Sequence, residues 1–285
     1  MQIEVNGTRL FVDVHGLQYE PEGETMREKP VTFVLHGGPG MDHSYYLPWL
    51  KPLEKHTQMI FIDHRGTGRS ARDSSRETWT IETFADDIEE LRKKLGLERI
   101  SLMGNSFGGM WGLVYATRYP HNLDRLVLID TAPSWGTWTE AQQIALKKGS
   151  KEQRKVFTRV FDGEVRTDEE FKAWWDVMIS LYFHAYDDEA GRNMVGRTKG
   201  SPLVAARMFR EIIPNYDVRK DLWMIRCPTL VLVGKHDWIT PVSQSEEIAR
   251  LIPGSRLVVF DKSGHMPFIE ETQKFLDVVG DFLGR

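Results

Sequence analysis

The chain has 285 residues, of which 41% are hydrophobic and 27% charged, and its formal net charge is −4. This mild acidity gives no reason to expect a nucleic-acid or membrane-surface partner. The single cysteine, Cys227, excludes an intrachain disulfide and a multi-cysteine metal site.

We expect no targeting signal at the N-terminus. Residues 1–7 have neither the basic region nor the apolar segment of a signal peptide. No stretch of the sequence approaches the ~20 apolar residues that a membrane span needs. We therefore expect a cytoplasmic protein. Its composition does not fix an oligomeric state.

Short apolar runs dominate the first half of the chain. Residues 1–5 and 8–14 alternate and flank Asn6-Gly7, which is typical of a β-hairpin. A charged loop containing Pro and Gly follows, and then come four near-continuous apolar runs, at residues 31–35, 59–62, 100–103 and 126–129. Strands that are apolar on both faces belong in a parallel sheet covered by helices.

Two helices are predicted between these strands. The first spans residues 81–95, where apolar residues recur every three or four positions and Thr80 can cap the N-terminus. The second spans residues 107–119 and ends before Pro120. This β-α-β alternation predicts an α/β protein with a mostly parallel central sheet flanked by helices.

The pattern changes after Pro133. Residues 134–221 contain amphipathic helical segments rich in aromatic residues and no convincing strand. Strand patterns resume at 228–233 and 256–260, and a final helix is predicted from about Pro267 to Leu283. We therefore expect a core domain of residues 1–133 and 222–285. A helical cap domain of residues 134–221 is inserted into it after the sixth strand.

A candidate nucleophile lies at residues 104–108, Gly-Asn-Ser-Phe-Gly, between an apolar strand and a helix. In that context G-x-S-x-G indicates a nucleophile elbow, a tight turn that exposes the hydroxyl of Ser106. Small residues two positions either side of the serine avoid clashes where the chain folds back. We predict that Ser106 is the nucleophile of a serine hydrolase.

A serine hydroxyl needs a base to remove its proton, and that base is expected downstream of it. Of nine histidines, His265 lies in the Ser-Gly-His-Met-Pro segment between the last strand and the last helix. Loops at the carboxyl ends of parallel strands are where the functional residues of such sheets collect. We therefore predict His265 as the base.

The acid that orients this histidine should follow another strand. Asp237 lies in the loop after the strand at 228–233, and it is our prediction for the acid. Asp130, at the end of an earlier strand, is the alternative. If Asp130 is not the acid, we interpret it as a structural residue, in a loop or as a helix cap, where the chain enters the cap domain.

The oxyanion hole needs two backbone N–H groups. One is expected from Phe107, the residue after the nucleophile, and the other from the His-Gly-Gly-Pro-Gly loop at residues 36–40. We assign the second donor to Gly38. His36 is interpreted as a structural residue of that loop.

The Asp-His-Arg-Gly-Thr-Gly-Arg-Ser segment at residues 63–70 lacks the spacing of a phosphate-binding loop. We interpret it as a structural turn in which Arg65 or Asp63 pairs internally. The histidines show no metal-binding spacing, so neither a metal ion nor a cofactor is expected.

Taken together, these motifs resemble those of the proline iminopeptidases and their α/β-hydrolase relatives. The resemblance is carried by residues 36–40, 63–70, 104–109, 234–237 and 263–265, and the loop at 36–40 is its most specific part. It covers the core and is weak across the cap. Two positions depart from the family, which commonly has Gln where this chain has His64 and Trp or Tyr where it has Phe107.

The resemblance implies that cap carboxylates hold the free α-amino group of the substrate. Glu211 is the best candidate for that substrate-binding role, and the other candidates are Glu164, Glu169, Glu170 and Glu189.

Three functions remain open on the sequence. The first is an aminopeptidase that releases N-terminal proline or another small apolar residue from a small-molecule or short-peptide substrate. The second is a carboxylesterase or lactonase, including acyl-lactone hydrolysis, with the same triad. The third is a noncatalytic binding protein on the same fold, which is disfavoured because every triad position holds a competent residue. An epoxide hydrolase or dehalogenase usually has Asp in place of Ser106.

Overall fold

A computed structural model describes residues 1–72, 75–136 and 138–284. Residues 73, 74, 137 and 285, which fall within the predicted core and cap ranges, lie outside the described residues. The strands are β1 Gln2–Val5, β2 Thr8–His15, β3 Tyr19–Glu22, β4 Thr25–Glu28, β5 Val31–Leu35, β6 Gln58–Asp63, β7 Ile100–Asn105, β8 Leu123–Ile129, β9 Thr229–Gly234 and β10 Arg256–Phe260. The α-helices are α1 Ile81–Lys94, α2 Phe107–Arg118, α3 Trp138–Lys148, α4 Lys151–Val156, α5 Asp168–Met178, α6 Asp188–Arg197, α7 Pro202–Arg207, α8 Val242–Leu251, α9 Pro267–Glu270 and α10 Thr272–Leu283.

Eight strands form one central sheet in the order β1-β2-β6-β5-β7-β8-β9-β10. The β1–β2 and β2–β6 pairings are antiparallel and the remaining pairings are parallel. All residues of β5, β7 and β9 are buried, as expected of strands covered on both faces. The predicted fold class, a mostly parallel sheet flanked by helices, is confirmed.

Side chains of alternate residues in the strands enter two apolar layers. Phe33 and Leu35 pack in the layer that contains α1 and α2, whereas Val34 packs in the layer that contains α10 and much of the inserted segment. Helix α1 begins at the predicted cap, where Thr80 Oγ1 accepts a hydrogen bond from the Thr83 amide at 3.1 Å. These two layers hold the sheet rigid beneath the loops at its carboxyl edge.

The segment between β8 and β9 is helical and follows the sixth strand of the central sheet. It contains α3 to α7 with short 3₁₀ turns and one π-helical turn, Met208–Ile212. The described residues of this segment form no strand, and their single bridge joins Ser134 to Asp217. The division into a core and a cap at residues 134 and 221 remains our proposal.

Two features differ from the sequence expectation. The charged loop before β5 contains a two-stranded ribbon, β3 with β4, in which almost every residue is exposed. Strands hydrated on both faces carry no apolar alternation, so the sequence offers no signal for them. The final helix is divided at Glu271, whose backbone leaves the helical region between α9 and α10.

No helix in the described part of the chain has both the length and the apolar character needed to cross a membrane.

Candidate active site

Ser106 lies in the turn between β7 and α2, at the carboxyl edge of the sheet. Its backbone has φ 57° and ψ −121°, a strained conformation for a residue with a side chain. Its amide donates to the Ile129 carbonyl at 2.8 Å, and its own carbonyl accepts from the Thr131 hydroxyl at 2.7 Å. A Cβ at Gly104 would collide with the Gly108 backbone, and one at Gly108 would collide with the end of β5. Glycine is therefore required at both positions.

His265 and Asp237 form a buried pair beside this turn. The Nδ1 atom of His265 lies 2.7 Å from Oδ2 of Asp237, and both side chains are almost fully buried. His265 lies in the loop after β10 and Asp237 in the loop after β9. The carboxyl ends of these two strands lie on the same edge of the sheet as the end of β7. The structure thus brings together Asp237 and His265, and both Ser106 and His265 line one pocket.

Asp237 is surrounded by hydrogen-bond donors. Its Oδ1 accepts from the amides of Ile239 and Thr240 at 2.9 and 3.3 Å. Its Oδ2 accepts from the Thr240 hydroxyl at 2.6 Å and from His265. With Nδ1–H of His265 donated to Asp237, Nε2 is left as the basic nitrogen. That tautomer is the one that can take a proton from a serine hydroxyl.

The loop that carries His265 is fixed by the inserted helical segment and by Glu270. The His265 amide donates to the Tyr182 carbonyl at 2.7 Å. Glu270 accepts from the Gly264 amide at 2.6 Å and from the amides of His184 and Ala185 at 2.8 and 2.9 Å. A single carboxylate therefore ties the loop that carries His265 to the inserted helical segment.

The backbone amides of the 36–40 loop and of the serine turn differ in whether they have an acceptor. The Gly37 amide donates to the Tyr45 hydroxyl at 2.8 Å. Among the described residues, the amides of Gly38 and Phe107 have no hydrogen-bond partner, and both residues line the Ser106 pocket. Gly38 has φ 120°, a conformation that favours glycine. Two free donors beside a serine can stabilise an oxyanion.

Sequence reasoning missed Tyr45 and Asn105. The Tyr45 hydroxyl donates to Asn105 Oδ1 at 3.0 Å while it accepts from Gly37, so it joins the 36–40 loop to the end of β7. The neighbouring Tyr46 hydroxyl donates to the Leu35 carbonyl at 2.8 Å. No spacing rule identifies such partners, because they meet only through the short 3₁₀ turn at His43–Tyr46.

The pocket at Ser106 is small and mostly apolar. Its cavity volume is about 40 Å³, room for only a few water molecules. Apart from Ser106 and His265, its lining consists of loop backbone, a few polar groups and apolar side chains, among them Met110, Trp135, Phe161, Trp175, Phe209 and Ile213. No Asp, Glu, Lys or Arg is among the described lining residues.

Glu211 does not reach this pocket, contrary to the sequence expectation. It lies in the π-helical turn, its side chain is 59% exposed, and its carboxylate pairs with Arg207 at 3.0 Å. Phe209, which lies two residues earlier in the same turn, lines the pocket instead. The other glutamates considered also line other surfaces: Glu164 pairs with Arg159, Glu170 caps α5, and Glu169 and Glu189 are exposed.

A second cavity of about 460 Å³ adjoins the first. Met41 and Trp175 line both cavities and so form the partition between them. Trp175 is buried, and its indole Nε1 has no hydrogen-bond acceptor within the described ranges. The larger cavity is bordered by charged side chains of both signs: Arg72, Asp168, Glu169, Lys172 and Lys199.

The segment at residues 63–70 is a structural turn held by internal pairs. Arg65 forms a buried ion pair with Asp87. Asp63 lies 2.6 Å from His43 and accepts from the Arg69 amide at 2.9 Å. His36 contacts the Thr67 hydroxyl at 3.1 Å, and burial lowers the pKa of its imidazole. His36 therefore joins two loops as a neutral structural residue.

The comparisons with known proteins agree with this geometry. A family model described as the alpha/beta hydrolase fold matches residues 30–272. The chain is 30% identical to a proline iminopeptidase from Saccharolobus solfataricus, over 99% of this chain and 93% of the relative. It is 28% identical to a proline iminopeptidase from Heyndrickxia coagulans, over 97% and 98% of the two chains.

Solved structures lead to the same family. An alpha/beta fold family hydrolase from Bacillus anthracis str. Sterne superposes with a TM-score of 0.80 at 25% identity, over 99% of this chain and 98% of that one. The chain therefore belongs to the α/β-hydrolase fold family and, within it, to the proline iminopeptidase-like serine hydrolases.

Proposed function

We propose that this serine hydrolase works by acyl transfer, with Ser106 as nucleophile, His265 as base and Asp237 as the acid that orients the base. The observation that carries the proposal is the His265–Asp237 pair at 2.7 Å beside a serine in a strained strand-to-helix turn. Nucleophile, base and orienting acid are the three groups that such catalysis needs.

In the first half of the reaction, Ser106 Oγ attacks the substrate carbonyl and passes its proton to His265 Nε2. The carbonyl oxygen becomes an oxyanion, which accepts hydrogen bonds from the Gly38 and Phe107 amides. The protonated His265 then donates its proton to the leaving group, and an acyl ester on Ser106 remains. Asp237 stabilises the imidazolium form of His265 between these two proton transfers.

In the second half, His265 Nε2 takes a proton from water as the water oxygen attacks the acyl ester. The second oxyanion uses the same two amides. Its collapse returns the proton from His265 to Ser106 Oγ and releases the acid. No cofactor is required for these steps.

We propose release of N-terminal proline or another small apolar residue as the first candidate activity. It is supported by the curated relatives, which are named proline iminopeptidases. The apolar lining of the pocket suits a small apolar side chain. This activity also needs a partner for the substrate's ammonium group.

Hydrolysis of an ester, lactone or amide without a free amine is the second candidate. The specific observation in its favour is the absence of any carboxylate among the described residues that line the pocket. A buried ammonium group without a partner costs several kcal/mol. An uncharged acyl group carries no such cost.

The experiment compares prolyl and alanyl p-nitroanilides with short p-nitrophenyl esters, each amine-bearing substrate being used free and N-acetylated. Hydrolysis of the anilides only with a free amine supports the aminopeptidase. Equal use of blocked and free substrates, with faster ester cleavage, supports the second candidate. Ser106→Ala is the control for the proposed mechanism, since retention of activity in that variant contradicts it.

We further infer a cytoplasmic enzyme that acts on a small molecule or short peptide without a nucleic-acid or membrane partner. Support comes from the net charge of −4 and from the one cysteine, which is buried. The core of residues 1–133 and 222–285 and the cap of residues 134–221 are part of the same proposal.

A further inference from the structure

A second carboxyl group, Asp130, is buried against the proposed acid and base. It follows β8, has φ 44°, and its side chain is inaccessible to solvent. Its Oδ1 accepts from the Gly234 amide at 2.8 Å, whereas its Oδ2 has no hydrogen-bond partner among the described residues. An unpartnered buried carboxyl oxygen is costly, so its presence calls for an explanation.

Asp130 is close enough to Asp237 and His265 to interact with both. One carboxylate oxygen of each aspartate and one ring nitrogen of His265 all lie within 4.8 Å of one another. Two buried carboxylates at such a distance do not both ionise readily, because each charge opposes the other in a region of low dielectric constant. One imidazole cannot compensate two negative charges. One of the two aspartates should therefore carry a proton.

The hydrogen bonds indicate which of the two aspartates, Asp130 or Asp237, carries the proton. Asp237 accepts from two amides, one hydroxyl and His265, and such donors stabilise an ionised carboxylate. Asp130 accepts from one amide only. Among the described residues, Glu270 from α9 adds its charge to the repulsion, and Lys148 from α3 lies close enough to interact with Asp237. The Tyr182 ring also faces the cluster, 5.5 Å from the ring of His265, and burial and the Asp237 charge raise the pKa of its hydroxyl. Burial and the neighbouring Asp237 charge both raise the pKa of Asp130 well above its ordinary value.

We propose that Asp130 is a neutral carboxylic acid in the working enzyme and a latent second acid for His265. This inference rests on the proposed triad. While Asp237 is ionised, Asp130 keeps its proton and acts only as a positioning residue. When Asp237 loses its charge, Asp130 releases its proton to solvent, and its carboxylate then accepts the Nδ1–H of His265.

The test uses wild type, Asp130→Asn, Asp237→Asn and the double variant, with kcat/KM for a p-nitrophenyl ester measured against pH. Asn is matched in shape to Asp and mimics its protonated form. We expect Asp130→Asn to stay within about tenfold of wild type, and Asp237→Asn to lose on the order of 10³-fold, short of the ~10⁴ typical when the orienting acid of a triad is replaced by Asn. The double variant should lose at least tenfold more than Asp237→Asn.

The pH profile gives a readout that a purely structural role would not move. The residual activity of Asp237→Asn should rise with pH as Asp130 ionises, and the double variant should lack that rise. An Asp130→Asn loss as large as that of Asp237→Asn overturns the proposal, because Asp130 would then be the working acid. A double variant no slower than Asp237→Asn also overturns it.

Infrared spectroscopy tests the protonation state without reference to activity. The carbonyl stretch of a protonated carboxyl group should be present in wild type at neutral pH and lost in Asp130→Asn. Its absence from wild type contradicts the proposal even if a variant folds poorly. Failure of the proposed function would be a separate result, because it is judged by whether the Ser106→Ala variant retains activity.

Discussion

The Tyr45 hydroxyl accepts a hydrogen bond from the Gly37 amide at 2.8 Å. It also donates to Asn105 Oδ1 at 3.0 Å, so one side chain sets the distance between the 36–40 loop and the serine turn. We expect Tyr45→Phe to lower kcat by about tenfold with little change in KM. Removing the hydroxyl loosens the loop that presents the Gly38 amide to the oxyanion, while loss of that donor outright would cost ~2.7–4 kcal/mol.

The matched control is Tyr119→Phe, whose hydroxyl bonds to Asp86 far from the pocket. Steady-state kinetics on the best ester or anilide measures both variants. A Tyr45→Phe enzyme with the same kcat as Tyr119→Phe would show that the loop is held without this hydroxyl.

Glu89 should make the fold sensitive to acid. Burial alone would raise its pKa, but hydrogen bonds from Arg92, Tyr115 and Asn122 outweigh it and lower the pKa to about 2. The ionised form is thus favoured by folding. Its contribution is fully present above pH ~4.5 and is lost as the pH falls toward 2. Because solvent screens part of this interaction, Glu89→Gln should reduce the free energy of unfolding at pH 7 by roughly 1–2 kcal/mol.

Urea unfolding at pH 7 and at pH 3 measures this effect. The difference between wild type and Glu89→Gln should shrink at the lower pH. Glu82→Gln, an exposed position in the same helix, is the control and should change little. A difference that is independent of pH would mean that Glu89 contributes through packing rather than charge.

Much of the fold follows from sequence because its signals are local. The buried strand β5 has the bounds that were expected, and α1 begins after the predicted Thr80 cap. The β3–β4 ribbon escaped prediction because its residues are hydrated on both faces. Local patterns identify buried elements better than exposed ones.

The residues of the site also differ in how far the sequence predicts their positions. The loops after β7, β9 and β10 meet at one sheet edge, so Ser106, Asp237 and His265 could be named from their order along the chain. Glu211 could not be placed, because its direction depends on a π-helical turn and on Arg207 one helical turn before it. Proximity across the sheet, as for Asp130 and Asp237, is likewise absent from any sequence spacing.

Arg65 tests the structural interpretation of the turn at residues 63–70. Its guanidinium is buried and pairs with Asp87 through two nitrogens. Arg65→Ala leaves the Asp87 carboxylate buried without its partner, which should cost about 3–5 kcal/mol of stability. Thermal unfolding measures the loss, and Arg72→Ala, at a partly exposed position, is the control. KM should be unchanged near 25 °C, and a rise in KM would place Arg65 in substrate binding instead.

Met41 should limit the size of substrate that Ser106 can accept. The 40 Å³ cavity is far below the ~300 Å³ of an ordinary small-molecule site, whereas the 460 Å³ cavity lies beyond Met41 and Trp175. Met41→Ala should join the two spaces and raise kcat/KM for p-nitrophenyl octanoate relative to the acetate by about tenfold. Val195 lines the larger cavity but not the Ser106 pocket, so Val195→Ala is the control. If both variants leave the octanoate-to-acetate ratio at the wild-type value, Met41 is not the partition that sets substrate length, and the acyl chain must extend along another wall of the pocket.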